Sequence, residues 1–472
     1  MTRTARLAFA SAAFVRQATE PALSDWLAYF EPDAVVIEGS PGPEVHSRLQ
    51  AIDPSVPVLS PDSTGANGVH CFEGVGVVSA STLEGLPDLD ADTIDPGTTT
   101  VVVTNALELE IDRARLMTTI DGGDAYRSAV DWTALEGEYV HVSTGLPAGY
   151  RNDWQGLGLV GAGRSEADDS LLALDFRTDG RVLEHRRRRE TLGLRAIEGV
   201  GRKRAGTLRS AGYETVEAVA GAGRARLRDL PGLDRGTADR IHASAGAIAS
   251  AEIHRRTDEP LPDGDPVYLD IETDGLHPTI VWLIGVLDGS AEEGRYLSFL
   301  QRDPDEPGRA LFDFMEWYLA NAAGRPLVAY NGWDFDFAVF REHLLEYAPQ
   351  HVEDVEATYR FDPYDWAVRE GNAFLPGRTN TLEDVTDALG WEDEGTDLTG
   401  AALARDYRRW MDDRRPANEP DWAAARRYNE ADCRRLATCL EALAATDRIV
   451  AAQSRPDPAD GTTQGELSRW DG

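Results

Sequence analysis

The sequence predicts a multidomain α/β protein: an N-terminal α/β domain over residues 1–184, a small all-α domain over 185–256, and a C-terminal α/β domain over 266–449. Three observations lead there. The chain has 472 residues, which at roughly 100 to 200 residues per domain is too long for one hydrophobic core. Charge is uneven: the whole chain carries 82 acidic and 47 basic side chains for a net of -35, yet His185 to Arg256 holds sixteen basic and eight acidic residues, a local net of +8. A breaker-rich, aperiodic stretch at 257–265 then separates this basic island from the C-terminal domain, as a linker does. Hydrophobic content of 42% excludes a disordered polyanion.

In the first domain, short apolar runs (RLAFASAAF, DAVVIEG, TTTVVVT, EYVHVST) alternate with helix-like stretches such as PALSDWLAYF, the rhythm of β and α units. The loop EGSPGPE lacks the spacing of a dinucleotide or P-loop motif and reads as an ordinary strand-to-helix turn. No chemistry is legible in residues 1–184. Charged or polar residues interrupt every stretch before about 20 apolar residues accumulate, so no membrane-spanning helix is expected.

The basic island holds two related segments, LRAIEGVGRKRAGTLRSAGY and LRDLPGLDRGTADRIHASAG. In each, a glycine-bearing turn precedes a helix that opens with basic residues. Glycine permits positive φ in the turn and leaves backbone N–H groups open to a phosphate at a helix N-terminus. The pair resembles a tandem helix-hairpin-helix module, a family that grips nucleic-acid backbone without reading sequence. The resemblance implies a phosphate clamp at Gly199, Val200 and Gly201 with Arg202, Lys203 and Arg204, and a weaker one at Gly232 with Arg235. Asp234 departs from the pattern where the family has glycine; an anion there repels phosphate, which points to a structural second hairpin. The alternative is a helical packing domain whose glycine turns are ordinary C-caps.

After the linker, PVYLDIETDGL alternates so that Val267, Leu269 and Ile271 take one strand face and Tyr268, Asp270 and Glu272 the other. Two neighbouring carboxylates on one face of a core strand are costly unless a cation neutralises them, and a divalent metal is the simplest one. TIVWLIGVLDG and GRYLSFL supply the next two strands. In RPLVAYNGWDFDFAVFREHL a strand runs through a loop into a helix near whose start Asp336 sits, with Phe337, Phe340 and Leu344 on its apolar face. In DWAAARRYNEADCRRLATCLEAL a long helix places Tyr428 and Asp432 at i and i+4, one above the other.

In this order, DIET, NGxxFD and YNxxD resemble the three motifs of the DEDD superfamily of 3′-to-5′ exonucleases, in its tyrosine-bearing subclass, on an RNase H-like fold spanning about 265 to 446. The resemblance implies that Asp270 bridges two divalent ions, that Glu272 and Asp432 complete the first metal site, and that Asp336 holds the second. It also implies that Tyr428 orients or helps deprotonate the attacking water. Thr273 and Leu276 would touch the terminal nucleotide, and Asn331 would line the cleft. Phe335 before Asp336 favours Asp336 over Asp334, which stays the runner-up. Such chemistry takes two Mg²⁺ or Mn²⁺ ions, since hard cations prefer oxygen ligands and two of them stabilise both attacking and leaving oxygens. Each residue has a structural reading when taken alone: Asp432 as a surface helix acid, Tyr428 as packing, Asp334 and Asp336 as N-cap and first-turn charges.

The expected function is therefore metal-dependent 3′-to-5′ hydrolysis of DNA or RNA, on a substrate with a single-stranded 3′ end. The alternatives are a nucleic-acid-binding or repair-scaffold protein with a weakly active nuclease fold, and an endonuclease on the same metals. Cys71, Cys433 and Cys439 are too few and too scattered for a disulfide framework or a thiolate metal site, which suggests a reducing, cytoplasmic setting. Lys203 is the only lysine, and heavy Asp/Glu with almost no lysine resembles the proteins of salt-loving archaea. A GC-rich genome explains the missing lysine but not the acid excess. Beyond about Val450 the polar, breaker-rich tail (450–472) is expected to be disordered.

Overall fold

The computed structural model describes residues 5–39, 41–61, 69–72, 74–80, 99–112, 117–129, 138–154, 157–163, 170–275, 277–303, 305–392 and 398–446. Leu276 and the tail expected at 450–472 lie outside the described residues. The chain divides into two compact units, Met1–Ile241 and His242–Gly472.

The first unit opens with β1 (Ala5–Ser11), α1 (Ala12–Gln17), α2 (Glu20–Phe30), β2 (Ala34–Glu38), α3 (Pro43–Ile52) and β3 (Val58–Leu59). Ser11 ends the strand and caps α1 by accepting from the Phe14 N–H, so the run RLAFASAAF is half strand and half helix. Thr19 caps α2, with a proline in the first turn. Next come β4 (Val69–Phe72), β5 (Val75–Ala80), β6 (Thr99–Thr104), the hairpin β7 (Glu108–Asp112) and β8 (Met117–Asp121), α4 (Gly123–Ala129), β9 (Glu138–Pro147), β10 (Arg151–Trp154), β11 (Leu157–Gly163), β12 (Ser170–Phe176) and β13 (Val182–Arg188). They form two large sheets, ordered β13-β12-β1-β2-β3 and β10-β11-β9-β6-β5-β4, and the β7-β8 hairpin is a two-stranded sheet of its own.

Strands β1, β2 and β3 pair parallel, as do β5, β6, β9 and β11. Their central residues are mostly buried and apolar, as parallel strands covered on both faces require, with His141 and Ser143 of β9 as buried polar exceptions. Leu7, Phe9 and Val36 of the first sheet share a core with Val77, Val101 and Val142 of the second. The opposite face, through Ala8, Val35 and Ile37, packs on Phe14, Trp26 and Leu49 of the helices. A second sheet thus covers the face where a simple α/β layering would put more helices.

The helical part comprises α5 (Arg202–Ser210), α6 (Val216–Ala220), α7 (Arg224–Arg228) and α8 (Arg235–Ser250), and the division between the units falls within α8. Arg186 and Arg187 of the basic island lie on β13, not on a helix. In the first hairpin a single 3₁₀ turn, Leu194–Ala196, leads into the glycine turn before α5. The fully buried Asp25 carboxylate of α2 accepts the N–H groups of Gly193 (3.0 Å) and Leu194 (2.9 Å) and pairs with Arg209 at 2.7 Å. This contact ties the helical part to the α/β part inside one unit.

The second unit contains β14 (His254–Arg255), β15 (Val267–Thr273), β16 (Val281–Asp288), β17 (Arg295–Leu300), α9 (Arg309–Asn321), β18 (Leu327–Val328), α10 (Asp336–Tyr347), α11 (Val352–Ala357), β19 (Arg360–Phe361), β20 (Ala373–Phe374), α12 (Leu382–Ala388), α13 (Gly400–Asp412) and α14 (Trp422–Ala445). Its main sheet is ordered β17-β16-β15-β18-β19, antiparallel from β17 to β15 and parallel from there to β19. Val267, Leu269 and Ile271 pack with Phe314 of α9 and Phe340 of α10 on one face. Tyr268 packs on the other face with Cys433, Leu436 and Leu440 of α14. Asp270 lies on the α14 side of this central strand, which is where the site forms.

Candidate active site

One pocket of about 770 Å³ is lined by Asp270, Glu272, Asp336, Tyr428 and Asp432 together. These residues come from β15, from the first position of α10 and from adjacent turns of α14. Thr273 lines the same pocket, its hydroxyl donating to the Gly275 carbonyl at 2.9 Å. Asp334 points elsewhere: it is exposed and pairs with Arg369, Nη1 to Oδ1 at 3.0 Å. Asn331 is not among the lining residues. It holds a left-handed backbone (φ 54°), and its N–H donates to Asp362 at 2.9 Å.

Glu272 and Asp336 are only 7% exposed. Burial, and then the charges of Asp432, Glu272 and Asp336, push the Asp270 carboxyl well above the usual carboxylate range. Glu272 rises likewise through burial and Asp432, and a hydrogen bond from Asn429 opposes the rise. Asp336 is pushed up to about 7 by burial, although its own N–H and that of Ile271 favour the anion. A helix start favours a carboxylate, so desolvation outweighs the helix here. Asp432 reaches about 6, raised by burial and lowered by Arg435. Burial and the neighbouring carboxylates raise the Tyr428 phenol, which keeps its proton at neutral pH. The Cys433 thiol is raised by burial and by Asp270; a neutral thiol there is no nucleophile.

A cluster of buried carboxylates that burden one another is an arrangement a cation relieves. The donors are all oxygen, which suits a hard divalent ion. As they stand, no three His, Cys, Asp or Glu side chains among the described residues are gathered so as to hold a metal ion. Two of the carboxylates have other partners instead: Asn429 Nδ2 donates to Asp270 Oδ2 at 2.7 Å, and Arg435 Nη1 to Asp432 Oδ1 at 3.0 Å.

Sequence reasoning missed Asn429. Fully buried, it accepts from the Tyr296 hydroxyl at 2.8 Å while donating to Asp270. It fits only because Gly285, paired with Asp270 across β15 and β16, has no side chain: a Cβ there would stand 1.5 Å from Asn429 Oδ1. The signal was the lone glycine in an otherwise apolar strand, which marks a close approach. Asp362 was missed as well. It is 2% exposed and accepts N–H groups of Asn331, Tyr364 and Asp365, so it staples the loop before Asp336.

At the hairpins, Gly199 (φ 85°) and Gly232 (φ 79°) adopt the left-handed turn. Gly201 caps α5 without any side-chain hydrogen bond, and a Cβ on it would meet nothing within 4 Å. Val200 is buried, so only its backbone can face a ligand. Arg202 pairs with Glu31, Arg204 donates to the Gly199 carbonyl at 2.8 Å, and Lys203 is exposed. Before Arg235, the Asp234 carboxylate accepts the Thr237 N–H (3.0 Å) and hydroxyl (2.7 Å), which sets a negative charge at the start of α8.

Residues 267–444 match the model of the RNase H superfamily, and residues 192–247 match that of the SAM-like helix-hairpin-helix tandem. No curated protein matches the chain. Among solved structures, E. coli exonuclease I in complex with a dA16 oligonucleotide is similar at 18% identity, covering 30% of this chain and 39% of that one, with a TM-score of 0.22. The structure of exonuclease I described as suggesting how processivity is achieved is similar at 19% identity, covering 33% and 42%, with a TM-score of 0.21. The chain thus spans about two fifths of the length of these structures. The molecule is a multidomain α/β protein with a helix-hairpin-helix region and a C-terminal RNase H-like domain.

Proposed function

We propose that this chain is a metal-dependent 3′-to-5′ exonuclease that hydrolyses terminal phosphodiester bonds of single-stranded DNA or RNA, acting in the cytoplasm of a salt-loving organism. What carries the reading is that five residues from three distant segments, Asp270, Glu272, Asp336, Tyr428 and Asp432, line one pocket of an RNase H-like domain. Two Mg²⁺ or Mn²⁺ ions held by the four carboxylates would lower the pKa of the attacking water and stabilise the leaving oxygen. Thr273 and Leu276 contact the terminal nucleotide. Asn429 holds the Asp270 carboxylate in place. Tyr428, protonated, donates toward the attacking water and orients it. The hairpin backbone at Gly199, Val200 and Gly201, with Lys203 beside it, holds nucleic acid by phosphate contacts at the start of α5; Gly232 and Arg235 add a weaker contact.

The test is incubation with end-labelled single-stranded DNA and RNA, free or blocked at the 3′ end, in molar salt with Mg²⁺ or Mn²⁺. A ladder shortening only from free 3′ ends is expected. Internal cuts, or binding without cleavage, would sink the exonuclease reading.

A further inference from the structure

We propose that Arg408 is a substrate-positioning residue that binds the phosphate on the 5′ side of the scissile one, so that the pocket selects a polynucleotide strand over an isolated phosphodiester. The inference rests on the exonuclease reading. Helix α13 presents Gly400, Ala404 and Arg408 to the pocket at successive i, i+4 positions, one face of the helix. The first two are small and leave space: a Cβ on Gly400 would stand 3.8 Å from the Tyr428 hydroxyl. Arg408 is exposed and reaches across the loop after β15, where a Cβ on Gly275 would stand 3.5 Å from its Nη1. The pocket of about 770 Å³ that Tyr428 lines and a cation two helical turns beyond Gly400 describe a path for a strand that leaves the carboxylates.

The pairing pattern sharpens the point. Several arginines of this unit pair with carboxylates: Arg409 with Asp406 at 2.7 Å, Arg414 with Asp305 at 2.8 Å, and Arg435 with Asp432 at 3.0 Å. Among the described residues Arg408 makes no hydrogen bond or ion pair, although it lines a pocket with five carboxylates. The acid nearest in sequence to its loop, Asp274, is engaged by the Thr279 N–H and hydroxyl, both at 2.7 Å. A planar guanidinium free on the rim of an anionic pocket suits a phosphate that the carboxylates would otherwise repel.

The full-length chain and its Arg408→Ala and Arg408→Lys variants would be compared on a single-stranded oligonucleotide and on thymidine 5′-(p-nitrophenyl phosphate), which carries the scissile phosphate but no neighbouring one. For Arg408→Ala, KM on the oligonucleotide should rise roughly tenfold or more, the worth of one charge-assisted contact, with kcat little changed. The nitrophenyl ester should be cleaved as by the unaltered chain. The slope of log affinity against log salt should fall by about one, and Arg408→Lys should restore that slope. An unchanged oligonucleotide KM, or an equal loss on both substrates, overturns the assignment while the nuclease reading stands. If the unaltered chain cleaves neither substrate, the nuclease reading fails and the assignment with it.

Discussion

Replacing Asp336 by asparagine should stabilise the metal-free protein at alkaline pH. The carboxyl is 7% exposed and is pushed by burial from its usual 3.8 to about 7, so the folded chain holds this proton more tightly than the unfolded one. The stabilisation from that proton is complete below pH 3.8, and is lost as pH rises toward 7. At about 1.4 kcal/mol per pH unit, the shifted carboxyl costs the fold about 2 kcal/mol at pH 5 and about 4 kcal/mol at pH 8. Asparagine keeps an oxygen to accept the Ile271 N–H and carries no charge. Urea denaturation of the chelator-treated wild type and Asp336→Asn, at pH 5 and pH 8 in molar salt, should show the variant ahead at both values and further ahead at pH 8. Added Mg²⁺ or Mn²⁺ should narrow the gap at pH 8, stabilising the wild type by about 2.7 kcal/mol at a hundred times its dissociation constant. A variant no more stable than wild type at pH 8, or a gap that does not change with pH, would overturn this account of the buried carboxyl.

Asp270→Asn should abolish hydrolysis, by several orders of magnitude in kcat, while oligonucleotide binding and circular dichroism stay near wild type; single-turnover cleavage assays read this directly. Tyr428→Phe should slow turnover about 10²- to 10⁴-fold with little change in metal affinity, and an unaffected rate would return the phenol to packing. Gly201→Val should fold normally, since its backbone (φ -89°, ψ 179°) is ordinary and its side chain would meet nothing. It should weaken oligonucleotide binding most visibly near 1 M salt, where a screening length of about 3 Å removes diffuse attraction; normal binding across a salt series would end the clamp hypothesis. Asp25→Ala should destabilise the first unit by about 3 kcal/mol in chemical denaturation, because it strands Arg209 and two N–H groups in the interior.

Which residues are candidates for chemistry, and which elements hold them, is legible in the sequence alone. Alternation along β15 and the i, i+4 spacing of Tyr428 and Asp432 are local periodicities, and period alone settles which side chains share a face. The same holds for the glycine turns, since a positive φ is written into the residue type. Features that depend on partners distant in the chain emerge only from packing. That Asp336 lines the pocket while Asp334 turns to Arg369 follows from packing around α10. That Asn429 reaches Asp270 depends on Gly285, more than 140 residues earlier, leaving room for it. The second sheet over β1 and β2, and the Asp25 contact that joins α2 to the hairpins, are invisible to any window of sequence. Desolvation, which sets the charge state of every carboxylate in the site, exists only once the surrounding elements have closed over them.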